Sequence, residues 1–163
     1  MEGLVVRAGT EADREAISGL LTAAWGGSVV VAHGTVYDAL TLPTLVAEQD
    51  RRIVGLLTYT VADGDLEVVT LDAPVRHLGV GSALLTAAID VARDAGARRL
   101  WLITTNDNLD GLRFYQRRGL RIVGVTPDAM DAARAVKPWI PATGDYGIPL
   151  HDELTLELRL NQS

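Results

Sequence analysis

The chain contains no cysteine among its 163 residues. Without a thiol it cannot form disulfides, cysteine zinc sites or acyl-cysteine intermediates. Histidine is also scarce, and the three present, His33, His77 and His151, lie far apart in sequence. None of them belongs to an H-E-x-x-H helix, so the sequence argues against a zinc hydrolase and predicts no metal site.

The chain also has fewer basic than acidic residues. Lysine and arginine total 15 against 21 aspartates and glutamates, which gives a net charge of -6. This balance argues against broad binding to nucleic acid, because such binding depends on many contacts between basic side chains and phosphates. It leaves room for one anionic ligand held at a local positive site.

Long hydrophobic runs and targeting segments are missing too. The stretch 16–37 carries no formal charge, but glycines and polar residues interrupt it, which argues against a membrane span. The start of the chain lacks the basic and apolar regions of a signal peptide. We therefore expect a cytoplasmic protein that binds neither membranes nor nucleic acid.

The overall composition is that of a globular protein, with 48% hydrophobic and 22% charged residues. Aromatic residues contribute only 5%, so the core has to be built mainly from leucine, valine, isoleucine and alanine. The length suits one domain and leaves little room for a second. We expect a single domain spanning residues 1–163.

The first half of the chain predicts one helix among short strands. A strand is predicted over 4–7, and Thr10 and Asp13 form a capping-box-like start for a helix that Gly26 and Gly27 end. The segment 29–42 is ambiguous and fits either a second short helix or a loop. Three strands are then predicted over 44–48, 53–61 and 66–71, and the polar turns between them indicate an antiparallel meander.

The second half alternates helices with strands. An apolar stripe from Val80 to Ala95 predicts a long amphipathic helix, and Gly96 is a natural stop for it. Together, the predicted elements indicate a mixed sheet with helices packed on it. They also indicate one strand-helix-strand crossover between residues 66 and 104. Further helices are predicted over 108–118 and 128–136, and further strands over 100–104, 121–125 and 154–160.

A glycine-rich turn joins the meander to the long helix. Gly79 and Gly81 allow close backbone approach, and the unpaired N–H groups at the helix start favour an anion. Arg76 adds a charge that can pair with phosphate. Leu84 stands where a dinucleotide fingerprint has its third glycine, and Ser82 stands where a P-loop has its lysine. The turn thus indicates phosphate binding outside both common nucleotide motifs, unless the glycines serve only a tight turn.

This turn also carries a family resemblance. The residues Arg76-x-x-Gly79-x-Gly81 resemble the acyl-coenzyme A pyrophosphate loop of the GNAT superfamily of N-acetyltransferases. In that family the loop reads Gln/Arg-x-x-Gly-x-Gly/Ala and lies between a strand and a helix, as it does here.

A second motif supports the resemblance. The residues Asn108-x-x-Gly111-x-x-Phe114-Tyr115-x-x-x-Gly119 are similar to the family helix Asn-x-x-Ala-x-x-Phe-Tyr-x-x-x-Gly. The order of the two motifs and the helix and strand between them also agree with the family. Gly111 in place of the usual alanine is a departure, although it removes no reactive group.

The resemblance implies both a fold and an activity. The fold is an α+β, three-layer arrangement with a mixed, mostly antiparallel sheet of about six or seven strands and helices on both faces. The activity is N-acetylation of a primary amine of a small molecule, with acetyl-coenzyme A (acetyl-CoA) as cosubstrate and direct transfer in a ternary complex. A non-catalytic acyl-CoA binding module and acetylation of a protein or peptide amine stay open as alternatives. A homodimer is a further expectation from the family.

The resemblance also implies which residues contact the coenzyme. In the family, the pantetheine arm lies like an added strand beside the strand that ends at the loop, and backbone groups pair with it. A backbone N–H near Leu71 would bind the thioester oxygen. Asn108 caps its helix, contacts the coenzyme, or does both. The expected contacts are Leu71, Ala73, Arg76, His77, Leu78, Gly79, Val80, Gly81, Ser82 and Asn108.

Two residues are the candidates for catalysis. Tyr115 matches the family tyrosine that approaches the coenzyme sulfur, which implies a general acid, and packing in the core is the alternative. A free ammonium group has a pKa of ~10.4, so a base is also needed. Glu67 lies where family members often carry that base, and a solvated strand glutamate is the alternative. Asp65, Asp72, His151 or a water chain are the other candidate bases.

The resemblance fades on the acceptor side. The long connection 127–152 predicts either a wall or lid of the acceptor site or a stiff packed loop. Trp25 and Trp101 are predicted to lie in the core. The candidate acceptor-site residues are Tyr37, Trp139, Tyr146, His151, Asp152 and Glu153.

Overall fold

The computed structural model describes residues 3–74 and 79–160 of the chain. Within these ranges no helix is long and apolar enough to cross a membrane. The strands there are β1 (Val5–Ala8), β2 (Val29–Ala32), β3 (Thr35–Asp38), β4 (Thr44–Gln49), β5 (Arg52–Ala62), β6 (Asp65–Asp72), β7 (Arg99–Thr105), β8 (Arg121–Thr126) and β9 (Glu153–Arg159). The α-helices are α1 (Arg14–Trp25), α2 (Val80–Asp94), α3 (Leu109–Arg117) and α4 (Ala129–Val136).

Seven strands form one sheet in the order β1-β4-β5-β6-β7-β9-β8. The neighbours β6 and β7 pair in parallel, and the other neighbouring strands of this sheet pair antiparallel. The parallel pair is connected through α2, as a parallel connection requires a crossover. The mixed, mostly antiparallel sheet is therefore confirmed.

The segment 29–42 contains a β-hairpin, so the predicted helix or loop is wrong over most of it. β2 and β3 pair antiparallel, with Val30 opposite Tyr37. Their two-residue turn, His33 and Gly34, has φ angles of 41° and 76°, the left-handed values that a tight hairpin turn requires. Consecutive valines favour the extended backbone of β2. The short 3-10 turn Ala39–Thr41 follows β3.

Helices cover both faces of the sheet, as expected. Successive side chains of a strand point to opposite faces, so Leu56 and Leu57 of β5 enter different cores. Leu57 belongs to the buried cluster that contains Leu84 of α2. Leu56 belongs to the buried cluster that contains Leu21 of α1. The sheet is thus the middle of three layers.

The start of α2 lies very close to β5, and Gly55 makes this approach possible. A Cβ atom at Gly55 would lie 2.6 Å from Val80 Cγ1 and 3.0 Å from the Asp72 carbonyl oxygen. Contacts this short force a shift of the helix or the strand. Gly55 therefore fixes how near the start of α2 lies to the sheet.

We expect Gly55→Ala to lower the free energy of unfolding by about 1–3 kcal/mol, because the added methyl overpacks the contact between β5 and α2. Gly19→Ala is the matched control. A Cβ atom at Gly19 meets nothing within 4 Å, and alanine at this exposed position should stabilise helix α1 by about 0.5–1 kcal/mol. Urea unfolding of both variants checks the prediction, and equal effects would contradict the packing role of Gly55.

The parallel strands β6 and β7 pair over only part of their length. Residues 66–68 of β6 pair with residues 100–102 of β7, whereas β6 continues to Asp72 and β7 to Thr105. The register between β5 and β6 also shifts next to Thr58 and Tyr59, which bends β6 at this point. The carboxyl ends of β6 and β7 do not pair with each other, which leaves an opening between these two strands. In α/β sheets, ligands commonly bind at openings of this kind.

Candidate active site

A cleft of about 620 Å³ lies beside the end of β6, between the start of α2 and helix α3. Tyr115 lines this cleft, together with most of the residues expected to contact the coenzyme. Arg76, His77 and Leu78 lie outside the described residues. The expected residues that do line the cleft are Leu71, Ala73, Gly79, Val80, Gly81, Ser82 and Asn108.

The start of α2 presents backbone N–H groups at the cleft. Gly79 has a φ of 75° directly before the helix, and no side chain caps this terminus. The Ala83 N–H donates to the Gly79 carbonyl oxygen. The N–H groups of Val80, Gly81 and Ser82 therefore have no partner within the helix. Together with the helix dipole they favour an anionic ligand.

Arginines from α3 and the turn after it supply positive charge to the same cleft, which Arg113, Arg117 and Arg118 all line. The guanidinium carbon of Arg118 lies 3.8 Å from the centre of the Phe114 ring. Its Nε donates to Ser82 Oγ at 2.9 Å, and its Nη2 donates to the same oxygen. These arginines are a local positive site that sequence reasoning missed, although Phe114 and Arg118 have the spacing of neighbours on one helix face.

We expect Arg118→Gln to weaken acetyl-CoA binding by about three- to tenfold, because an exposed cation near phosphate acts through a screened attraction. The loss should shrink as salt is raised. Arg121→Gln is the control, since Arg121 is exposed at the start of β8 and does not line the cleft. Calorimetric titration at low and high salt checks this, and equal affinities for the two variants would contradict the role of Arg118.

Asn108 caps α3 in the structure. Its Oδ1 accepts from the Gly111 N–H at 3.1 Å, and its Nδ2 donates to Thr104 Oγ1 at 2.8 Å. A Cβ atom at Gly111 would lie 2.2 Å from Asn108 Nδ2. Glycine in place of the family's alanine thus lets the Asn108 amide fold over the helix start. Because Asn108 also lines the cleft, capping and coenzyme contact are compatible roles.

Tyr115 presents an available proton donor to the cleft. It is half-buried and its ring meets that of Phe114 edge to face, with centroids 5.4 Å apart. Burial, together with the nearby charge of Asp72, raises the pKa of Tyr115 to about 12. Within the described residues its hydroxyl makes no hydrogen bond. The phenol therefore stays protonated at neutral pH and is free to donate to a ligand.

The other carboxylates of β6 that were candidate bases lie at its two ends. Asp72 accepts a hydrogen bond from Trp25 Nε1 at 2.9 Å, and burial raises the pKa of Asp72 to about 6 despite that bond. Trp25 is half-buried, as a residue at the edge of the α1 core. Asp65 pairs with Arg99 at 3.0 Å, at the end of β6 away from the cleft.

Glu67 lies on the face of the sheet opposite α2. The sequence alone did not predict which face it occupies. Its neighbours Leu66 and Val68 both enter the core under α2, so Glu67 points the other way. The residue is only 4% exposed. The Tyr37 hydroxyl donates to its Oε1 at 2.6 Å, and His33 Nε2 lies 2.8 Å from its Oε2. The alternative of a solvated strand glutamate is therefore wrong.

A second buried carboxylate lies beside this group. Glu153 at the start of β9 is 4% exposed and accepts a hydrogen bond from the His33 backbone N–H at 3.2 Å. Burial raises the pKa of Glu153, and the charge of Glu67 adds to this effect. We name Tyr37, His33, Glu67 and Glu153 the acceptor-face cluster. Sequence reasoning missed His33, because its contacts depend on the hairpin that it closes.

The other predicted acceptor-side residues lie on the connection 127–152. Trp139 is 63% exposed, and the Tyr146 hydroxyl donates to Asp110 Oδ1 at 2.6 Å. His151 Nδ1 lies 2.7 Å from Asp152 Oδ2. Tyr37 and Glu153 are thus the predicted acceptor residues that the structure brings to the neighbourhood of Glu67. Trp139, Tyr146, His151 and Asp152 make their contacts elsewhere.

The connection 127–152 is tied to its surroundings by buried polar groups. Lys137 is 6% exposed, and its Nζ donates to the carbonyl oxygens of Trp25 and Val29 at 2.9 and 2.8 Å. Asp107 accepts a hydrogen bond from the Asp145 N–H at 2.9 Å. These bonds agree with the stiff packed loop rather than with a lid. Across the described ranges, no group of three or more His, Cys, Asp or Glu residues is arranged to hold a metal ion.

Comparison with known proteins agrees with this geometry. A family model for the acetyltransferase (GNAT) family matches residues 16–120. The chain belongs to this family. It is 35% identical to the uncharacterized protein YxbD of Bacillus subtilis (strain 168) over 144 residues. This aligned stretch covers 88% of this chain and 91% of that protein.

Two further likenesses concern activity and fold. The chain is 29% identical over 96 residues to the streptothricin acetyltransferase of Streptomyces lavendulae, over 58% of this chain and 51% of that protein. Its fold resembles that of a GNAT family acetyltransferase from Elizabethkingia anophelis with acetyl-CoA bound, with a TM-score of 0.70 and 18% identity over 98% and 100% of the two chains.

Membership of the GNAT family confirms the resemblance found in the sequence. The chain is an acetyltransferase, and a solved structure with the same fold holds acetyl-CoA. The residues of the cleft fit that ligand. The start of α2 and the neighbouring arginines suit a pyrophosphate, and the unpaired edge of β6 suits the amides of a pantetheine arm.

Proposed function

We propose that this GNAT enzyme transfers the acetyl group of acetyl-CoA to a primary amine of a small molecule, directly and in a ternary complex. The observation that carries the proposal is the opening between β6 and β7. It has the coenzyme cleft on the α2 side and the acceptor-face cluster on the other side. An amine can therefore approach the thioester from the face opposite the coenzyme. The absence of cysteine favours direct transfer over an acyl-cysteine intermediate.

On the coenzyme side, we assign contacts according to the groups that line the cleft. The N–H groups of residues 80–82, with Arg118, would hold the pyrophosphate, and Arg76, His77 and Leu78 stay predicted contacts. The backbone of Leu71 and Ala73 would pair with the pantetheine arm. The Leu71 N–H would bind the thioester oxygen as negative charge develops on it.

The reaction needs a base on the acceptor face and a donor at the sulfur. The acceptor's ammonium group has to lose a proton before its nitrogen can attack, and the group built around Glu67 supports that step. As the C–N bond forms and the C–S bond breaks, the Tyr115 hydroxyl would donate to the departing thiolate. With a pKa of about 12, against about 8.5 for a free thiol, Tyr115 stabilises the thiolate chiefly through a hydrogen bond.

The charge of the acceptor-face cluster favours a cationic acceptor. Glu67 and Glu153 are both buried there. The His33 imidazole contacts Glu67, whereas Glu153 accepts from the His33 backbone N–H. A second ammonium group on the acceptor would offset this negative charge. The likeness to a streptothricin acetyltransferase supports a small molecule over a protein amine as the acceptor.

A panel of amines tests the proposal. The protein is mixed with acetyl-CoA and with monoamines, polyamines, aminoglycoside-type amines, streptothricin-type amines or peptides that have a free N-terminus, and release of free thiol is followed. We expect turnover with one or more small amines, highest among those with a second cationic group. Turnover with peptides alone would contradict the small-molecule acceptor, and tight acetyl-CoA binding without turnover on any amine would favour a binding module.

A further inference from the structure

The tip of the β2–β3 hairpin reaches across the strands that border the opening in the sheet. The His33 backbone N–H donates to Glu153 of β9 at 3.2 Å, and its imidazole Nε2 lies 2.8 Å from Glu67 of β6. The imidazole ring lies beside Trp101 of β7, with centroids 5.1 Å apart. His33 is thus held over three neighbouring strands on the acceptor face.

The turn itself does not require histidine. A two-residue hairpin turn with positive φ at both positions favours asparagine followed by glycine. Histidine is tolerated at the φ of 41° found here, but it adds nothing to the turn that asparagine would lack. The contacts of the His33 side chain with Tyr37, Glu67 and Trp101 therefore give the reason for its presence.

The hydrogen bonds indicate which ring nitrogen carries the proton. The Tyr37 hydroxyl donates its single proton to Glu67 Oε1 at 2.6 Å. An ionised carboxylate only accepts hydrogen bonds, so His33 Nε2 has to donate to Oε2. The Tyr37 oxygen, 3.1 Å from Nε2, can accept a share of the same proton. Nδ1 then keeps its lone pair, and its neighbour is the Thr35 hydroxyl at 3.3 Å.

The exposed fraction of each side chain indicates which member of the acceptor-face cluster can contact an acceptor. The Glu67 side chain is 5% exposed, whereas the His33 side chain is 31% exposed. Both Glu67 oxygens are already bonded to groups of the chain itself. An incoming amine or a water bound to it can therefore reach His33 Nδ1 by replacing the single contact of Nδ1 with the Thr35 hydroxyl.

We infer that His33 is the general base of the acetyl transfer and that Glu67 is a positioning residue that orients its ring. This inference rests on the proposed function. His33 Nδ1 takes one proton from the acceptor's ammonium group, and the nitrogen lone pair so freed attacks the thioester carbonyl. The C–N bond forms and the C–S bond breaks while the Tyr115 hydroxyl stabilises the departing thiolate through a hydrogen bond, and the sulfur then takes a second proton from the amine nitrogen. The imidazolium then releases its proton to solvent and restores the base.

The kinetic test compares His33→Gln with His33→Asn. Glutamine places an N–H near the position of Nε2 and can keep the bond to Glu67, whereas asparagine suits the left-handed turn. Neither has a basic nitrogen. We expect both variants to keep the thermal midpoint and acetyl-CoA affinity, and to lower kcat/KM by about 10²–10⁴-fold at neutral pH. Val36→Thr, at an exposed position of the same hairpin, controls for loosening of the hairpin and should match the wild type.

The pH profile separates a base from a structural residue. The titratable groups that face His33 are Tyr37 of β3, Glu67 of β6 and Glu153 of β9. For the wild type, kcat/KM should reach its plateau at a lower pH than in either variant. In both variants it should keep rising toward the ammonium pKa of ~10.4. A His33→Gln variant with wild-type activity and profile would overturn the inference.

A spectroscopic measurement needs no acceptor. In ¹H–¹⁵N spectra of the full chain, we expect the neutral His33 ring to carry its proton on Nε2 and none on Nδ1, and Glu67→Gln to remove this preference. A proton on Nδ1 in the wild type would overturn the inference, because Nδ1 could not act as base. If no amine is acetylated, the proposed function fails and the spectra still decide the tautomer on which the inference depends. If amines are acetylated equally well by His33→Gln, the base assignment alone fails.

Discussion

Replacing Tyr115 by phenylalanine is expected to lower turnover by about 10²–10⁴-fold, while the fold and the acetyl-CoA affinity stay close to those of the wild type. The substitution removes only a hydroxyl group. Tyr115 lines the cleft, and its hydroxyl has no hydrogen-bond partner within the described residues, so the removal of this hydroxyl leaves no partner group unsatisfied. The loss should therefore fall on the chemical step.

The pH dependence sharpens this prediction. Because the pKa of Tyr115 is raised to about 12, the phenol stays protonated over the working range and should cause no basic limb in turnover below about pH 10. Turnover is measured at saturating acceptor from about pH 6 to about pH 10. Tyr59→Phe is the control, since Tyr59 is a half-buried tyrosine that does not line the cleft. A Tyr115→Phe enzyme within about twofold of the wild type, where chemistry limits the rate, would exclude Tyr115 as the donor.

The Gly81→Val substitution is expected to weaken acetyl-CoA binding by about 10- to 100-fold, because it blocks approach of the pyrophosphate to the N–H groups at the start of α2. Each hydrogen bond to a charged group that is lost in this way is worth about 1.5–3 kcal/mol. A Cβ atom at Gly81 would already lie 3.3 Å from the Phe114 ring. The branched side chain would therefore crowd both the phosphate site and the ring on which Arg118 stacks.

Calorimetry on folded protein checks this prediction. Gly81→Ala should weaken binding less than Gly81→Val, since it adds only the Cβ atom. Thr86→Val is the control, because Thr86 is exposed on the same helix and does not line the cleft. Circular dichroism of all three variants shows whether the fold is kept. Unchanged affinity in folded Gly81→Val would mean that the glycines serve the turn alone.

The fold could be predicted from the sequence wherever periodicity was strong. The apolar stripe of α2 and the alternation of β9 gave elements within one or two residues of their observed bounds. The β2–β3 hairpin could not be predicted in this way, because its strands have four residues each and its turn, His33 and Gly34, lacks the usual asparagine. The close approach at Gly55 also left no local signal, since its partners Val80 and Asp72 are far away in sequence.

The candidate site also has one part that could be predicted from the sequence and one part that could not. The coenzyme cleft follows two contiguous motifs, so Gly79, Gly81 and Tyr115 could be named from the sequence, and the structure places them on one cleft. The acceptor-face cluster joins the hairpin to β6 and β9, and such contacts depend on tertiary packing. Glu67 was therefore predicted by resemblance without its partner His33.

The central claim is tested most directly by following the acetyl carbon itself. Acetyl-CoA labelled with ¹³C at the carbonyl is mixed with the enzyme and the best amine of the panel, and the label is traced by NMR and mass spectrometry. Direct N-acetylation predicts that the label moves from the thioester to an amide carbonyl of the small molecule, at the rate of thiol release, with none on the protein. Label that ends as free acetate, as an ester of the acceptor, or on a protein side chain ahead of the product would contradict the account.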